Sequence, residues 1–446
     1  MSQSNATPEL PRARPIGWPR SLVPALIVWL ALIPLSIKPR HSGNVWSRYM
    51  TIESIVERGT MAIDRSPLLG PSGSPDIVKW KGRTYSDKPP SLSALSSPVY
   101  LALFASGWKM AGSPHQFLRV NLVMVSSVIG LGTFLALVAL RRMLQIVPVP
   151  KFGADLATLA AGFGTPLLTY GVTFNNHSVA AGLLTAAFAM VLLERPGQRR
   201  LPARRAVAGF SSGLAAAIDL PAGGVLIAGL GLWLIARAKR PPWAFAVAAC
   251  IPLMSHAALQ LASTGSPFPV EMTPDRFEYD NSYWNTEEGT FRETIPRWLW
   301  GVEMLVGPQG WLTITPVLAL GLVGIGWIAA RRGDPLRAPA LVAGGMIGVR
   351  VLYYAFGVRR TDFSGLSYGT RHLLAVTPLA WFFAIAALGR WQFRGLWVAS
   401  GIFWAVGFIY AWHGMLDPWS RVERRTEPAL IFLQKAVLYP YTSYRR

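Results

Sequence analysis

Residues 207–236 read VAGFSSGLAAAIDLPAGGVLIAGLGLWLIA, an apolar run with one charged side chain, Asp219, followed closely by Pro221. About 20 residues of helix cross the ~30 Å apolar layer of a membrane, so this run is too long for a single crossing. A charge and a proline midway favour a turn, because proline cannot donate a helical hydrogen bond. The run therefore predicts two short helices that meet at a polar turn.

Further apolar stretches have the length of a membrane span. They cover residues 21–37, 119–140, 155–173, 178–193, 243–262, 310–330, 338–357, 372–389 and 395–413. Residues 92–108 are apolar too, but this run is short and has serines and Pro98 in its first half. With 52% hydrophobic and only 15% charged residues, the composition excludes an ordinary water-soluble enzyme.

The charge of the loops predicts the topology. Lys and Arg number 43 against 22 Asp and Glu, and the basic residues cluster in short loops between the apolar runs. This pattern follows the positive-inside rule and predicts a membrane rather than a nucleic acid as the partner. Segment 194–206, with five Arg and one Glu, is expected to be cytoplasmic. A cytoplasmic N-terminus is then consistent only if 92–108 lies along the outer face and 207–236 crosses twice, which makes about eleven helices.

The sequence thus predicts an all-α polytopic membrane protein with one transmembrane domain at 21–413. A cytoplasmic segment, 1–20, precedes this domain, and a C-terminal tail, 414–446, follows it on the outer side. Within the domain, residues 38–118 form a long first outer loop and residues 263–297 a second one. Because polar and charged residues gather in these two loops, an active site is expected on the outer face of the membrane.

The first outer loop contains TYSDKPPSLSALSSPVY at 84–100. Two prolines restrict the backbone here, so Asp87 and Lys88 are expected side by side at the membrane surface. Glycosyl transfer from a lipid phosphate needs a carboxylate that accepts a proton and a cation that stabilises the departing phosphate. The alternative, of equal weight, is a solvated pair whose Lys reaches the lipid headgroups.

SRY at 47–49, GTMAID at 59–64 and YSDKPP at 85–90 together resemble the first extracytoplasmic loop of the polyprenyl-phosphate-dependent glycosyltransferases of the GT-C class. That class includes the protein mannosyltransferases and the lipid A 4-amino-4-deoxy-L-arabinose transferases. The resemblance is strongest over residues 44–100. It implies a polyprenyl-phosphate sugar donor, helices parallel to the membrane in the first outer loop, and inversion at the transferred sugar.

By position in the resemblance, Lys88 faces the donor phosphate and Arg48 is the arginine of the family's Arg-Tyr helix. The family's catalytic aspartate falls at Val45 in this sequence, which cannot accept a proton. The base is therefore expected to be Asp76 or Asp87.

The resemblance also leaves a divalent metal open. In the arabinose transferases the acid before the Lys binds a metal together with a His, which by position implies Asp87 as a ligand. His177 is the candidate for the second ligand, although one His with scattered carboxylates is a weak metal signature. The ligand role of Asp87 makes Asp76 the better candidate for the base. The sequence itself names no cofactor.

Residues outside the first loop are predicted to complete the site. Arg371 is a second candidate for the donor phosphate, and its alternative role is to anchor lipid headgroups. The substrate is expected to contact Asn176, His177, Asp219, Glu278, Tyr279 and Trp284. Each has an alternative: the Asn and His residues belong to a turn that satisfies helix ends, Asp219 forms a pair with Arg350, and the aromatic residues belong to an interfacial belt.

These features predict a multi-pass glycosyltransferase of the inner (plasma) membrane with an extracytoplasmic active site. The absence of a P-loop or dinucleotide-binding glycine motif agrees with a donor already carried on a lipid. The sugar and the acceptor stay open. The competing class is a transporter or flippase for a lipid-linked or anionic solute, in which Asp219 lines the pathway, although no repeated halves with broken helices are visible.

Overall fold

The computed structural model describes residues 18–70, 74, 76–195, 200–238, 241–285, 296–357, 367–391 and 393–420. Their α-helices are α1 (Trp18–Leu35), α2 (Gly43–Arg58), α3 (Pro90–Ala105), α4 (Pro114–Met124), α5 (Gly130–Met143), α6 (Lys151–Phe163), α7 (Pro166–Gly171), α8 (Asn176–Leu192), α9 (Leu201–Ile218), α10 (Leu220–Ala238), α11 (Trp243–Thr264), α12 (Arg297–Val306), α13 (Trp311–Ile314), α14 (Val317–Ala330), α15 (Arg337–Leu352), α16 (Thr377–Trp391) and α17 (Arg394–Leu416). The strands in these residues are β1 (Ile77–Trp80) and β2 (Arg83–Ser86), which form one hairpin. The predicted all-α class is therefore confirmed apart from this hairpin.

Several of these helices have the length and composition of membrane spans. In the described part of the chain there are six: Pro114–Ile146, Leu220–Arg237, Trp243–Thr264, Arg337–Gly357, Arg371–Trp391 and Arg394–Leu416. A bent pair, Arg297–Ile314 with Val317–Ala330, would make a seventh. Shorter apolar helices cover Ser21–Leu35, Pro90–Ala105 and Asn176–Leu192. These helices indicate an integral membrane protein, but the expected eleven crossings are not confirmed.

Two predicted spans are not continuous helices. Within 310–330 the chain turns by 106° between the helical segments on either side of Pro316. The stretch 155–173 is divided between α6 and α7, and the side chain of Thr165 caps α7 just before Pro166. A proline disfavours helical geometry at the residue before it, and this explains both breaks.

The predicted turn at Asp219 is confirmed, since α9 and α10 meet at this residue and the run 207–236 forms two helices. The Asp219 carboxylate accepts a hydrogen bond from the backbone N–H of Ala222 at 3.3 Å, as an N-cap residue does. A β-carbon on Gly223 would lie 1.9 Å from the backbone nitrogen of Ala216. Glycine at this position therefore lets the two helices approach closely after the turn.

The first outer loop folds into α2, the hairpin and α3 in that order. α2 ends at Arg58 and is capped by Gly59, whose φ of +66° is a left-handed conformation that glycine adopts without strain. The hairpin reverses at Lys81 and Gly82, which also have positive φ. β2 is followed almost directly by α3, so Asp87 and Lys88 occupy the short connection between a strand and a helix.

An apolar cluster holds this loop against the rest of the molecule. Its buried members are Val45, Tyr49, Ile52, Leu92, Tyr100, Met110, Val120, Met124, Val125, Ile129, Phe174, Val179, Ile218 and Trp419. Most of them come from α2, α3, α4, α8, α9 and the π-helical turn at Val125–Ile129, so the loop packs on helices that follow it. Its orientation parallel to the membrane surface stays a prediction.

The described C-terminal residues return to the first outer loop. The indole N–H of Trp419 lies 3.2 Å from the carbonyl oxygen of Arg40 and 3.1 Å from the hydroxyl of Thr173. The rest of the predicted tail, 421–446, lies outside the described residues, as do residues 286–295 of the second outer loop.

α5 and α8 pack closely because glycines face each other. A β-carbon on Gly182 of α8 would lie 2.3 Å from the carbonyl oxygen of Gly132 on α5. Small residues at such a crossing let helix backbones approach in a membrane. The contact fixes the position of α8, whose first turn carries Asn176 and His177.

We predict that Gly182→Ala destabilises the protein by about 1–3 kcal/mol, because the added methyl group forces the two helices apart. The measurement is thermal unfolding of the purified protein in detergent. Gly231→Ala on α10 is the matched control, since a β-carbon there meets no atom within 4 Å and alanine has the higher helix propensity. Equal melting temperatures for the two variants would contradict the close contact.

Candidate active site

Asp76, Asp87 and Lys88 form one ion-paired group, called here the Lys88 triad. The Lys88 ammonium lies 3.0 Å from Oδ1 of Asp76 and 2.8 Å from Oδ2 of Asp87. All three side chains are largely buried. The structure therefore brings together both candidate bases and the predicted phosphate-binding lysine.

The register of the hairpin produces the triad. Ile77 pairs with Ser86 in the antiparallel ladder, so the residues just beyond this pair, Asp76 and Asp87, are neighbours across the hairpin. Their backbones are also joined, since the N–H of Asp87 lies 3.4 Å from the carbonyl oxygen of Asp76. Like charges directly opposite each other destabilise a hairpin, and the ammonium of Lys88 offsets this repulsion.

The environment of Asp87 changes its acidity. Burial raises the pKa of its carboxyl group to about 7, Lys88 opposes this increase, and the nearby charge of Asp76 adds to it. Among the described residues, Oδ1 of Asp87 is buried and has no hydrogen-bond partner. Asp87 is thus a carboxylate that can exchange a proton near neutral pH.

The charge of Lys88 is maintained by its neighbours. Burial alone would lower the pKa of its ammonium group, but the charges of Asp76 and Asp87 outweigh burial and raise it above the usual value. Lys88 is therefore a permanent cation at physiological pH.

Arg48 lies on α2 beside the triad and is buried. It donates hydrogen bonds to the carbonyl oxygen of Asn44 at 3.2 Å and to Oδ1 of Asn176 at 3.1 Å. Burial lowers the pKa of its guanidinium group to about 10, and the negative charges of Asp87 and Asp76 raise it. Its Nε is buried and has no hydrogen-bond partner among the described residues, so one N–H donor is available to a ligand.

A second charged group lies at the junction of α8, α9 and α15. Oδ2 of Asp219 lies 2.7 Å from Nδ1 of His177 and 3.3 Å from a terminal nitrogen of Arg350. Arg350 also donates to the carbonyl oxygen of His372 at 2.5 Å. The pairing of Asp219 with Arg350 that the sequence raised as an alternative is thus present, and it makes Asp219 part of the connection between these helices.

The turn at 175–177 has two roles. The side chain of Asn175 caps α8 by accepting a hydrogen bond from the N–H of Ser178 at 2.9 Å. Asn176 instead contacts Arg48, and His177 contacts Asp219. This short turn therefore links Arg48, next to the Lys88 triad, to the second charged group.

Arg371 is buried at the start of the span that contains α16. Its guanidinium carbon lies 5.2 Å from the centroid of the Trp419 ring, a cation–π distance. Its positive charge contributes to the lowered pKa of Arg48. Arg371 therefore adds positive charge near Arg48, and its role at the donor phosphate stays a prediction.

Of the residues predicted from the second outer loop, Tyr279 contacts the hairpin that carries the triad. The Tyr279 hydroxyl lies 3.5 Å from the carbonyl oxygen of Ile77, and the Lys79 ammonium lies 4.9 Å from its ring centroid. Burial raises the pKa of Tyr279, and the charge of Asp87 adds to this increase. Tyr279 thus borders the triad.

Glu278 is exposed, and Trp284 packs its ring against Phe277 and Tyr283 at centroid distances of 5.6 and 5.5 Å. This aromatic group agrees with the alternative reading of the second loop as an interfacial belt.

Val45 is 1% exposed and lies in the apolar cluster under the first loop. The position of the family's usual acid is therefore part of the core in this chain, which agrees with a base elsewhere in the loop.

A pair of serines that was not predicted from the sequence supports the triad. The hydroxyls of Ser47 and Ser86 form a hydrogen bond, and the Ser86 hydroxyl lies 3.1 Å from the N–H of Lys88. The only available signal was position, since each serine directly precedes a predicted site residue.

In the described part of the chain, no three or more His, Cys, Asp or Glu residues form a group that could hold a metal ion. His177 has Asp219 as its partner, and Asp87 has Lys88. The metal at Asp87 and His177 stays a prediction on the resemblance alone.

No protein-family model matches the chain, and no curated protein matches it in sequence. Solved structures do match. The Archaeoglobus fulgidus oligosaccharyltransferase, in complex with Zn and sulfate, has a TM-score of 0.52 at 16% identity, over 90% of this chain and 53% of that one. ArnT from Cupriavidus metallidurans, bound to undecaprenyl phosphate, has a TM-score of 0.50 at 16% identity, over 86% of this chain and 61% of that one.

The chain therefore has the fold of the GT-C membrane glycosyltransferases, and the resemblance seen in its first outer loop is confirmed at the level of fold. It spans between about half and three-fifths of the length of these two structures.

We predict that Asp219→Asn destabilises the protein by about 3–5 kcal/mol, because it leaves the buried charge of Arg350 without its partner. The double variant Asp219→Asn/Arg350→Met should recover part of this loss, since it removes the stranded charge. Thermal unfolding of the purified proteins measures both effects. A double variant less stable than the single one would show that charge balance is not the reason for the pair.

Proposed function

We propose that this protein is an integral membrane glycosyltransferase that moves a sugar from a polyprenyl phosphate to an acceptor at the extracytoplasmic face. The observation that carries the proposal is the buried Lys88 triad, in which one cation lies between two carboxylates and beside Arg48. The fold supports it, since one of the two matched proteins binds undecaprenyl phosphate. The apolar helices supply surface for a polyprenyl tail.

In this proposal Asp87 is the general base. Its Oδ1 has no hydrogen-bond partner in the described residues, and its raised pKa of about 7 is close to the operating pH, where proton transfer is most efficient. Asp76 completes the charge balance of Lys88. These two observations lead us to propose Asp87 as the base, rather than Asp76, which the resemblance favours.

Lys88, Arg48 and Arg371 hold the donor phosphate. Lys88 contributes a compact positive charge, and the unpartnered Nε of Arg48 is a directed N–H donor. Arg371 adds a further cation near Arg48. Fixed positive charges in a site that excludes water stabilise the negative charge that grows on a departing phosphate.

The transfer then takes one step. The acceptor oxygen or nitrogen attacks the anomeric carbon while its proton passes to Asp87. The bond between the anomeric carbon and the phosphate oxygen breaks, and its electron pair leaves with the polyprenyl phosphate. Attack from the face opposite the phosphate inverts the anomeric carbon.

The remaining predicted contacts have different support. Asn176 and Tyr279 border the group of Arg48 and the triad, which favours them as sugar contacts. His177 and Asp219 are better suited to hold Asn176 in place, because they bond to each other. Glu278 is exposed, and Trp284 packs against Phe277 and Tyr283.

The extracytoplasmic side of the site rests on loop charge. The short loops 141–154, 194–206, 237–242, 331–337 and 390–394 carry sixteen basic residues. The positive-inside rule assigns such loops to the cytoplasm. The triad then faces the outside of the inner membrane.

We predict that Asp87→Asn abolishes transfer, because an amide cannot accept the acceptor's proton. The assay is the release of free polyprenyl phosphate from a polyprenyl-phosphate sugar by the purified, reconstituted protein, supplied with an envelope extract as the source of acceptor. Asp64→Asn is the matched control, since Asp64 lies in the same loop and pairs with Arg83 at the surface. Unchanged release by Asp87→Asn would overturn the assignment, and no release by the unmodified protein would favour a transporter.

The pH profile provides an independent test. A raised pKa means that Asp87 keeps its proton until about pH 7, so the base form becomes scarce as the pH falls below that value. The initial rate should decrease about tenfold per pH unit on the acid side and level off above neutrality. A rate that does not change across neutrality would contradict the role of Asp87.

A further inference from the structure

A polar hollow lies at the end of the helices opposite to the Lys88 triad. It has a volume of about 580 Å³ and is lined by Pro148, Trp327, Arg331, Asp334, Gly389, Arg390 and Trp391. The helical segment Arg371–Trp391, of 21 residues, connects the two ends and is roughly 30 Å long. Since Arg371 neighbours Arg48, the hollow lies at the other boundary of the membrane.

Arg331 is the exposed cation of this hollow. Its guanidinium carbon lies 3.7 Å from the centroid of the Trp327 ring, so the plane of the guanidinium is held by stacking. The Trp327 ring in turn contacts that of Trp391 at 5.6 Å and 75°. Among the described residues, the Arg331 side chain makes no hydrogen bond or ion pair, and its N–H donors are therefore available to a ligand.

The other charges in the hollow leave it positive. Nε of Arg390 lies 3.3 Å from Oδ2 of Asp334, and another of its nitrogens donates to the carbonyl oxygen of Ala386 at 3.0 Å. Asp334 thus neutralises the charge of Arg390, whereas no carboxylate among the described residues forms an ion pair with Arg331. A planar guanidinium that presents several N–H donors is the usual partner of a phosphate.

The surroundings favour a lipid as the source of that phosphate. Indole rings such as those of Trp327 and Trp391 are enriched at the level of lipid headgroups. Val323 lies one turn before Trp327 on the same face of α14 and is 58% exposed, so apolar surface continues from the hollow toward the membrane interior. A headgroup phosphate in the hollow would therefore have room for its acyl chains beside it.

We propose that this hollow binds the phosphate of an anionic phospholipid from the leaflet opposite the active site, with Arg331 as its main ligand. Basic pockets between transmembrane helices on the cytoplasmic side are suited to anionic headgroups. This site is independent of the proposed transfer reaction, because it shares no residue with the Lys88 triad or its neighbours.

The test is native mass spectrometry of the full-length protein, titrated with phosphatidylglycerol and, separately, with phosphatidylcholine. Arg331→Ala should weaken phosphatidylglycerol binding about tenfold, as expected for the loss of a charge-assisted hydrogen bond. Arg332→Ala is the matched control: it removes the same charge from the next, exposed residue, which does not line the hollow. Equal losses in the two variants, or equal binding of both lipids, would overturn the proposal.

A third variant should act in the opposite direction. Asp334→Asn removes the carboxylate that neutralises Arg390, so phosphatidylglycerol should bind more tightly, while the amide oxygen can still accept the hydrogen bond from the N–H of Leu336. Inorganic phosphate separates the two sources of the ligand. If it binds in an Arg331-dependent manner and phosphatidylglycerol has no advantage over it, the ligand is soluble phosphate and the lipid assignment is wrong.

Discussion

The sharing of one ammonium by two carboxylates is the constraint on which the site depends. Asp76 and Asp87 are cross-strand neighbours because of the hairpin register, and two buried like charges would repel each other across it. Lys88 lies within 3.0 Å of both, and its positive charge offsets the cost of burying them. Removal of one member from such a group leaves an uncompensated buried charge, which costs several kcal/mol. The geometry that suits catalysis is thus also the one that keeps the loop folded.

The Lys88 triad is one end of a continuous polar layer. Arg48 bonds to Asn176, whose neighbour His177 bonds to Asp219, and Asp219 pairs with Arg350. The layer passes from the first outer loop through α8 to the turn between α9 and α10 and on to α15. At one edge of this layer lies Asp87, whose pKa is raised to about 7. The layer therefore combines positive charges with a group that can accept a proton near neutral pH. Beneath it lie apolar helices, so the arrangement suits a molecule with a phosphate and a long hydrocarbon tail.

Some features of the fold and the site could be predicted from the sequence, and others could not. The pairing of Asp87 with Lys88 was predictable, because adjacency and two prolines limit where the side chains can go. The break at Asp219 was predictable because a charge and a proline are costly within an apolar helix. Asp76 was predicted from the sequence as a candidate base, but its contact with Lys88 depends on the strand register. The two strands have only four residues each, which is too few for an alternation of apolar and polar residues to indicate that register. The bend at Pro316 was missed because apolar composition is the same in straight and bent helices.

The sequence by itself determined the membrane class, the positions of most apolar helices and the basic side of the molecule, since each of these depends on local composition and on the charge of short loops. Only the tertiary structure decided which charges that are distant in the sequence meet. Asp219 and Arg350 are 131 residues apart, and Arg48 and Asn176 are 128 residues apart, so no local pattern links either pair. The pairing of Asp219 with Arg350 follows from the packing of α8, α9 and α15, because burying a charge is costly unless a neighbouring helix carries an opposite charge at the same depth.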